Sequence, residues 1–140
     1  MVYPCWNNLY WSCSIKSYKN MEKIEAIIQP TRLEAVKAAL VQVGVSGMTV
    51  TRVEGFGNQK GRKLNYRGST YEASFVEKVK IETVVSSDMT DRVVEAIAAA
   101  ARSGQIGDGK IFVSPVSRVV RIRTNERNEA ALQAPVTSLN

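Results

Sequence analysis

The chain has 140 residues, a formal net charge of +6, a hydrophobic fraction of 44% and a charged fraction of 23%. This composition is typical of a single globular domain, and no apolar run is long enough to span a membrane. Histidine is absent and the two cysteines, Cys5 and Cys13, lie near the start, which excludes the commonest general base and any thiol chemistry in the remaining chain. The lack of cysteine after residue 13 fits a reducing cytoplasm, and the positive charge favours an anionic ligand, with nucleic acid as an alternative.

Residues 1–20 differ from the rest of the chain. They contain both tryptophans and both cysteines, show no periodicity, and lack the continuous apolar stretch of a secretory signal. Because a regular strand pattern begins at Met21, we interpret residues 1–20 as an N-terminal extension, either disordered or the product of an upstream start site.

The first predicted elements are a strand, a helix and a second strand. Residues 22–29 alternate between apolar and polar side chains, and Pro30 ends this strand. Thr31 is the predicted N-cap of a helix that continues at helical spacing to Gly44. β-branched alternation over residues 48–53 predicts the second strand. The core-facing residues predicted for the first strand are Ile24, Ala26 and Ile28.

A long polar stretch separates these elements from the next pair. Residues 57–75 contain glycine and lack aliphatic anchors, so we expect a flexible or functional loop. Residues 78–85 alternate as a third strand, and Asp88 or Thr90 is the predicted N-cap of a second helix. The predicted apolar face of that helix consists of Val93, Val94, Ile97, Ala98 and Ala101.

The end of the chain predicts one more strand region and a tail. Residues 110–124 form the strand region, broken near Ser114 and Pro115, and we expect the polar, alanine-rich residues 125–140 to be poorly ordered. The resulting order, βαββαβ, is that of an α+β, ferredoxin-like sandwich over residues 21–124. Since many unrelated proteins share this fold, it does not by itself indicate a function.

Two glycine-rich turns and a pair of arginines are candidates for an anion site. Residues 107–110 read Gly-Asp-Gly-Lys before an apolar strand, residues 55–61 combine three glycines with Gln and Lys, and Arg121 and Arg123 are predicted to share one strand face. Glycine lets backbone N–H groups approach anionic oxygens, and Lys and Arg supply positive charge, so together they predict a polyphosphate site. A tight turn after a helix and a solvated strand face are the plainer alternatives.

Further side chains extend this candidate site. Gln59 offers an amide oxygen to a hard cation such as Mg²⁺, and Lys78 begins the strand that returns from the long loop. Within that loop, Ser69 and Tyr71 present hydroxyls beside Gly68, where an added phosphate or nucleotide would bring charge that reorders the loop. A surface lysine and ordinary loop hydroxyls are the alternatives.

Five motifs occur in a fixed order along the chain. They are Gly55-Phe56-Gly57 with Gln59-Lys60-Gly61, Tyr66-Arg67-Gly68-Ser69 with Tyr71, Phe75 with Lys78 and Lys80-Ile81-Glu82, then Ile106-Gly107-Asp108-Gly109-Lys110, and finally Arg121-Ile122-Arg123-Thr124. From Met21 to about Ala131 the chain resembles the PII signal-transduction proteins, the nitrogen regulatory proteins P-II. Ser69 and the stretch Ile111-Phe112-Val113-Ser114-Pro115-Val116 are most similar to the cyanobacterial branch.

The resemblance implies a cytoplasmic homotrimer that regulates nitrogen metabolism and is not an enzyme. It implies ATP or ADP in clefts between subunits, with Mg²⁺ and with 2-oxoglutarate as effector. Residues 57–75 would be the T-loop, which docks on target proteins. The implied targets are N-acetylglutamate kinase, ammonium transporters and transcriptional co-regulators, without direct nucleic-acid contact or membrane insertion.

The resemblance also implies individual roles, position by position. The implied ATP contacts are Thr49, Gly55, Gln59, Glu82, Val84, Gly107, Asp108, Gly109, Lys110, Arg121 and Arg123, with both arginines reaching over from a neighbouring subunit. The implied 2-oxoglutarate contacts are Gln59, Lys60, Gly61, Lys78 and Gly107. Gln59 would also hold Mg²⁺, Ser69 corresponds to a phosphorylated position, and Tyr71 to one that is uridylylated or adenylylated.

Five residues depart from the family pattern, and two of them, Arg62 and Lys63, make the loop more basic than is typical. Asn58 replaces a common arginine near the ATP phosphates, which implies weaker ATP binding. Thr70 replaces an acidic residue beside Tyr71, and Asn125 replaces a glycine.

Other functions fit the sequence less well. An RNA-binding module on this fold would need exposed aromatics on its central strands, and residues 78–85 contain none. An enzyme would need a general base or nucleophile that the motifs do not supply. The remaining alternative is a PII-like adenylate sensor for another effector, against which Gln59 and Lys78 argue.

Overall fold

The structure, a computed structural model, describes residues 20–56, 63–66, 69–72 and 75–134. The strands are β1 (Met21–Ile28), β2 (Thr49–Gly55), β3 (Lys63–Tyr66), β4 (Ser69–Glu72), β5 (Val76–Ser86) and β6 (Gly109–Val116). The helices are α1 (Leu33–Gln42), which follows a 3₁₀ turn at Pro30–Arg32, α2 (Ser87–Ala101) and the short α3 (Glu129–Leu132).

Four strands form one antiparallel sheet in the order β2-β5-β1-β6. The register pairs Ile28 with Val79 on one side and with Gly109 on the other. This arrangement confirms the predicted ferredoxin-like α+β fold, because the two strands of each half are separated by a helix and interleave in the sheet. In the described part of the long loop, β3 and β4 pair as a separate two-stranded hairpin.

The core lies between one face of the sheet and the two long helices. Ile24 and Ile28 are each 1% exposed and Ala26 is fully buried, which confirms the alternation predicted for the first strand. Such burial of apolar side chains is the main source of stability in a domain of this size. On α2, the buried residues are Thr90, Val93, Ile97 and Ala101, while Val94 and Ala98 are only partly covered.

The predicted helix caps are wrong. Thr31 lies within the 3₁₀ turn, because Pro30 starts that turn before α1, and the cap position falls on Arg32 without a side-chain cap bond. On α2 the cap position is Ser86, again without a side-chain bond, so neither Asp88 nor Thr90 is the cap. Thr90 instead faces the sheet from inside the helix.

The hydroxyl of Thr90 has a different function from capping. It donates to the Glu22 carboxylate at 2.5 Å, and Thr90 is only 6% exposed. A buried hydroxyl must have a partner, so this bond joins α2 to the first residues of β1.

The predicted strand over residues 110–124 is partly wrong. β6 continues through Ser114 and Pro115 to Val116, because an edge strand tolerates proline. Residues 122–124 then form a turn, so Arg121 and Arg123 do not share a strand face.

The turn after β6 is closed by backbone contacts. Asn125 N donates to the Arg121 carbonyl at 2.8 Å, and Asn125 has a φ of +57°. Asparagine tolerates this left-handed conformation better than most residues do, which explains why it stands where glycine was expected. Beyond the turn, Arg127 bridges to Val120 and α3 follows, so the part of the expected tail that is described contains secondary structure.

Among the described residues, no helix is sufficiently long and apolar to cross a membrane.

Candidate functional site

A cavity of about 420 Å³ lies at one end of the sheet, beside the loop that joins α2 to β6. The register places Gly55 opposite Val76 and Ile28 opposite Gly109, so the ends of all four strands meet there. The predicted site residues that line the cavity are Gly55, Lys78, Gly107, Gly109 and Lys110. The sheet thereby brings together residues from three separate motifs of the sequence.

Lys78 forms part of the cavity wall. Lys78 as a whole is 8% exposed, and its Nζ donates to the carbonyl oxygen of Gly107 at 2.5 Å. Gly55 packs directly against the lysine stem, because a Cβ added there would lie 3.4 Å from Lys78 Cγ, at ordinary contact distance. A positive charge removed from water favours the binding of an anion, since anionic acceptors offset its desolvation.

The glycine turn before β6 depends on close backbone contact with β1. Gly109 has a φ of +108°, and a Cβ built on it would lie only 1.7 Å from the carbonyl oxygen of Ile27. Gly107 also has a positive φ, +101°. The glycines are therefore required by the turn itself, and the same turn forms one wall of the cavity.

Asp108 holds the loop between α2 and β6. Its carboxylate accepts hydrogen bonds from Ser103 N at 2.8 Å, Gly104 N at 2.9 Å, the Ser103 hydroxyl, and Gln29 Nε2 at 3.3 Å. Hydrogen bonds from Ser103, then from Gly104, hold the pKa of Asp108 below its usual value. Since this carboxylate stabilises the turn that carries Gly107 and Lys110, it positions the cavity wall, and its contact with ATP stays a prediction.

Apolar side chains complete the cavity, and the sequence analysis did not identify them. Phe56 and Phe75, 77% and 60% exposed, lie edge to face with ring centroids 6.2 Å apart. Ile106 and Phe112 are also exposed, and both line the cavity with Phe56. The positions of the phenylalanines, one at each end of the long loop, were a signal that could have indicated this contact. Phe56, Ile106 and Phe112 offer an apolar surface in the cavity to a planar ring, and Phe75 packs against Phe56.

Three predicted ATP contacts lie farther along the sheet. Thr49 pairs with Glu82, and Val84 is two residues beyond Glu82 on β5. Since Ile81 and Thr83 face the helices, Glu82 and Val84 face the opposite side of the sheet, as does Lys78.

Glu82 is engaged in a charged cluster on this open face. Lys23 Nζ lies 2.5 Å from Glu82 and 3.3 Å from Glu25, and Lys80 lies 3.4 Å from Glu82. The hydrogen bond from Lys23 is the main cause that lowers the pKa of Glu82, and the same bond raises the pKa of Lys23. The cluster places Glu82 away from the cavity that contains Lys78.

The predicted arginines form a third group, in the turn after β6. Arg121 contacts the Glu126 carboxylate and donates to the carbonyl oxygens of Ala131, at 3.1 Å, and Gln133. Arg123 is exposed in the same turn. Within one chain, therefore, the predicted ATP contacts lie in three places.

The sequence model of the family described as nitrogen regulatory protein P-II matches residues 21–126. The chain belongs to this family. It is 57% identical over 112 residues to the P-II protein of Microchaete diplosiphon, covering 80% of this chain and 100% of that relative. The P-II proteins of Synechocystis sp. (strain ATCC 27184 / PCC 6803 / Kazusa), 55% identical, and of Escherichia coli (strain K12), 54% identical, match with the same coverage.

A solved relative supports the same conclusion for the P-II fold. The crystal structure of Arabidopsis thaliana PII bound to citrate has a TM-score of 0.67 and 45% sequence identity to this chain. The structural match covers 81% of this chain and 92% of the Arabidopsis chain. The predicted family and fold are both confirmed, and the chain is a nitrogen regulatory signal-transduction protein of a family that is regulatory rather than enzymatic.

Part of the predicted P-II site lies outside the described residues. This applies to Gln59, Lys60 and Gly61, while Ser69 and Tyr71 belong to β4, for which the backbone alone is described. Among the described residues, no group of three or more acidic, cysteine or histidine side chains forms a metal site. The predicted Mg²⁺ ligand, Gln59, is not among those residues, so the metal stays a prediction.

Proposed function

We propose that this P-II protein senses ATP or ADP together with Mg²⁺ and 2-oxoglutarate, and that its T-loop controls target proteins. The observation that carries the proposal is the buried residue Lys78, whose ammonium donates to the Gly107 carbonyl at the wall of a cavity. Lys110 lies on the same cavity, whose volume of about 420 Å³ is typical of small-molecule sites.

The cavity has two kinds of wall that suit a nucleotide. The turn with Gly107, Gly109 and Lys110 presents backbone and positive charge to phosphates. Ile106 and Phe112 present apolar surface, on which a base or ribose can pack. A polyphosphate with an attached planar ring would use both walls at once.

The proposed 2-oxoglutarate site lies on Lys78. An ammonium has three N–H donors, so Lys78 can bind a carboxylate while it contacts the Gly107 carbonyl. Gln59, Lys60 and Gly61 would contribute the remaining contacts, with Gln59 on the Mg²⁺ ion that ATP and 2-oxoglutarate share. Since these residues begin the T-loop, the effector would shift the loop between two states by binding one of them better.

A homotrimer would complete the nucleotide site. One chain separates the cavity from the arginines, so Arg121 and Arg123 of a neighbouring subunit would reach over to the nucleotide, and Glu82 and Val84 would contact it from the open face of the sheet. The open sheet face and the exposed Phe112 provide a surface for such an assembly. The nucleotide site would therefore be complete only in the assembled trimer.

The signal would leave the protein through the T-loop, residues 57–75. Its proposed targets are N-acetylglutamate kinase, an ammonium transporter and a transcriptional co-regulator, and its proposed location is the cytoplasm. Phosphorylation of Ser69, or nucleotidylation of Tyr71, would add negative charge to the β3–β4 hairpin and change target choice.

Calorimetric titration of 2-oxoglutarate tests the proposal. We expect binding to wild-type protein with ATP and Mg²⁺, and little or none with ADP and Mg²⁺. Lys78→Met should abolish this binding, whereas Lys37→Met, which removes a charge from the exposed face of α1, should leave it unchanged. Retained binding in Lys78→Met would refute the assigned pocket. ATP binding without any 2-oxoglutarate binding would indicate a sensor for a different effector.

A further inference from the structure

The guanidinium of Arg121 is held by its own chain. It contacts the Glu126 carboxylate and the carbonyl oxygens of Ala131, at 3.1 Å, and Gln133. The Arg121 side chain is 18% exposed, whereas that of Glu126 is 42% exposed. Arg121 is thus largely removed from solvent and supplied with acceptors by its own chain.

The turn after β6 orients the Glu126 carboxylate. Arg121 N donates to the Glu126 carbonyl at 2.9 Å, and Asn125 N donates to the Arg121 carbonyl at 2.8 Å. The Thr124 hydroxyl donates at 2.6 Å to the same carboxylate oxygen that contacts Arg121. Backbone and side-chain bonds therefore aim this carboxylate at the guanidinium.

We propose that Glu126 competes with the nucleotide phosphates for Arg121, which makes the C-terminal segment, residues 126–134, an internal lock on the nucleotide site. The inference rests on the proposed function, in which Arg121 binds ATP. The planar donor fork of a guanidinium matches both carboxylate and phosphate, so a nucleotide must replace Glu126 to gain full contact. Loss of Arg121 also removes a partner from the carbonyls of Ala131 and Gln133, which loosens α3.

The lock is weak enough to open. Ion pairs with an exposed partner contribute little to stability, and Glu126 is 42% exposed. A polyphosphate carries several negative charges, and the exposed Arg123 in the same turn adds a second positive charge that attracts it. The C-terminal segment would then report directly on nucleotide occupancy.

The test measures the ATP dissociation constant of the full chain by calorimetry. Glu126→Gln should bind ATP about two- to fivefold more tightly than wild type, as expected for loss of one competing exposed ion pair. Glu95→Gln removes the same charge from an exposed position of α2 and should not change the affinity. In an Arg121→Gln background, Glu126→Gln should have no further effect, because the pair is already broken.

Hydrogen exchange provides a second readout in the unmodified protein. Saturating ATP should raise amide exchange at residues 129–134 in wild type, and Glu126→Gln should reach the same raised exchange at a lower ATP concentration. If wild type binds ATP but Glu126→Gln binds it equally or more weakly, the competition is refuted. If wild type binds neither ATP nor ADP, the proposed function itself is refuted. Nucleotide binding by wild type therefore distinguishes failure of the competition from failure of the proposed function.

Discussion

Replacement of Gly109 by alanine tests whether the turn before β6 is determined by close backbone contact. Gly109 combines a φ of +108° with a hypothetical Cβ 1.7 Å from the Ile27 carbonyl oxygen, a separation that no real Cβ adopts. In Gly109→Ala, therefore, β6 must move away from β1 at the point where the cavity wall begins. Gly104 supplies a matched control in the same loop, with a φ of +83° and no atom within 4 Å of its Cβ position.

The two substitutions differ in steric overlap more than in backbone strain. An alanine in a left-handed conformation destabilises the folded state by about 1–2 kcal/mol. The lower conformational entropy of the unfolded chain offsets about 0.4–1 kcal/mol of this loss. We therefore expect Gly104→Ala to lower the free energy of unfolding by about 1 kcal/mol or less. Gly109→Ala adds an overlap of the kind that costs about 1–3 kcal/mol in a close-packed region, so the total loss should be about 2–4 kcal/mol.

Urea denaturation followed by far-UV circular dichroism measures both effects. All variants should be compared at one protein concentration, since assembly makes apparent stability depend on concentration. We also expect Gly109→Ala to weaken ATP binding, because the displaced strand carries Lys110, whereas Gly104→Ala should bind as wild type does. Equal stability losses in the two variants would refute the argument that contact with Ile27 is what requires glycine.

Two further predictions concern the loop and the turn that flank β6. Asp108→Asn should lower stability at neutral pH, because the carboxylate accepts bonds from Ser103 and Gly104; since folding lowers its pKa, that contribution is present above the unfolded value of 3.8 and is lost as pH falls through the lower folded pKa. The difference between the urea curves of wild type and Asp108→Asn should therefore be constant above about pH 4 and shrink as pH falls further, and a difference that does not shrink with falling pH would contradict this account. Asn125→Gly should leave thermal stability nearly unchanged, whereas Asn125→Val should lose about 1–2 kcal/mol, because valine is strained at the positive φ of +57°. Equal melting temperatures for the two Asn125 variants would show that the turn does not require this conformation.

Local patterns in the sequence were sufficient to predict the main elements. Alternation in β1 identified its buried face, because the side chains of a strand point to its two sides in turn. The caps were predicted less well, since Pro30 started a 3₁₀ turn before α1 and moved Thr31 out of the cap position. The spacing of Arg121 and Arg123 was as compatible with a strand as with a turn. The chain reversal at Asn125, seen only in the structure, shows that they lie in a turn.

The sequence by itself determined the order of the main elements, the apolar faces of the first strand and the second helix, and the membership of the P-II family, because periodicity and motifs are local properties of the chain. Only the tertiary structure decided that Lys78 is buried against Gly107, 29 residues away, and that Phe56 contacts Phe75 across the long loop. It also decided that Glu126 holds Arg121. Strand register and loop closure depend on the balance of contacts between distant residues, and no local pattern contains that balance.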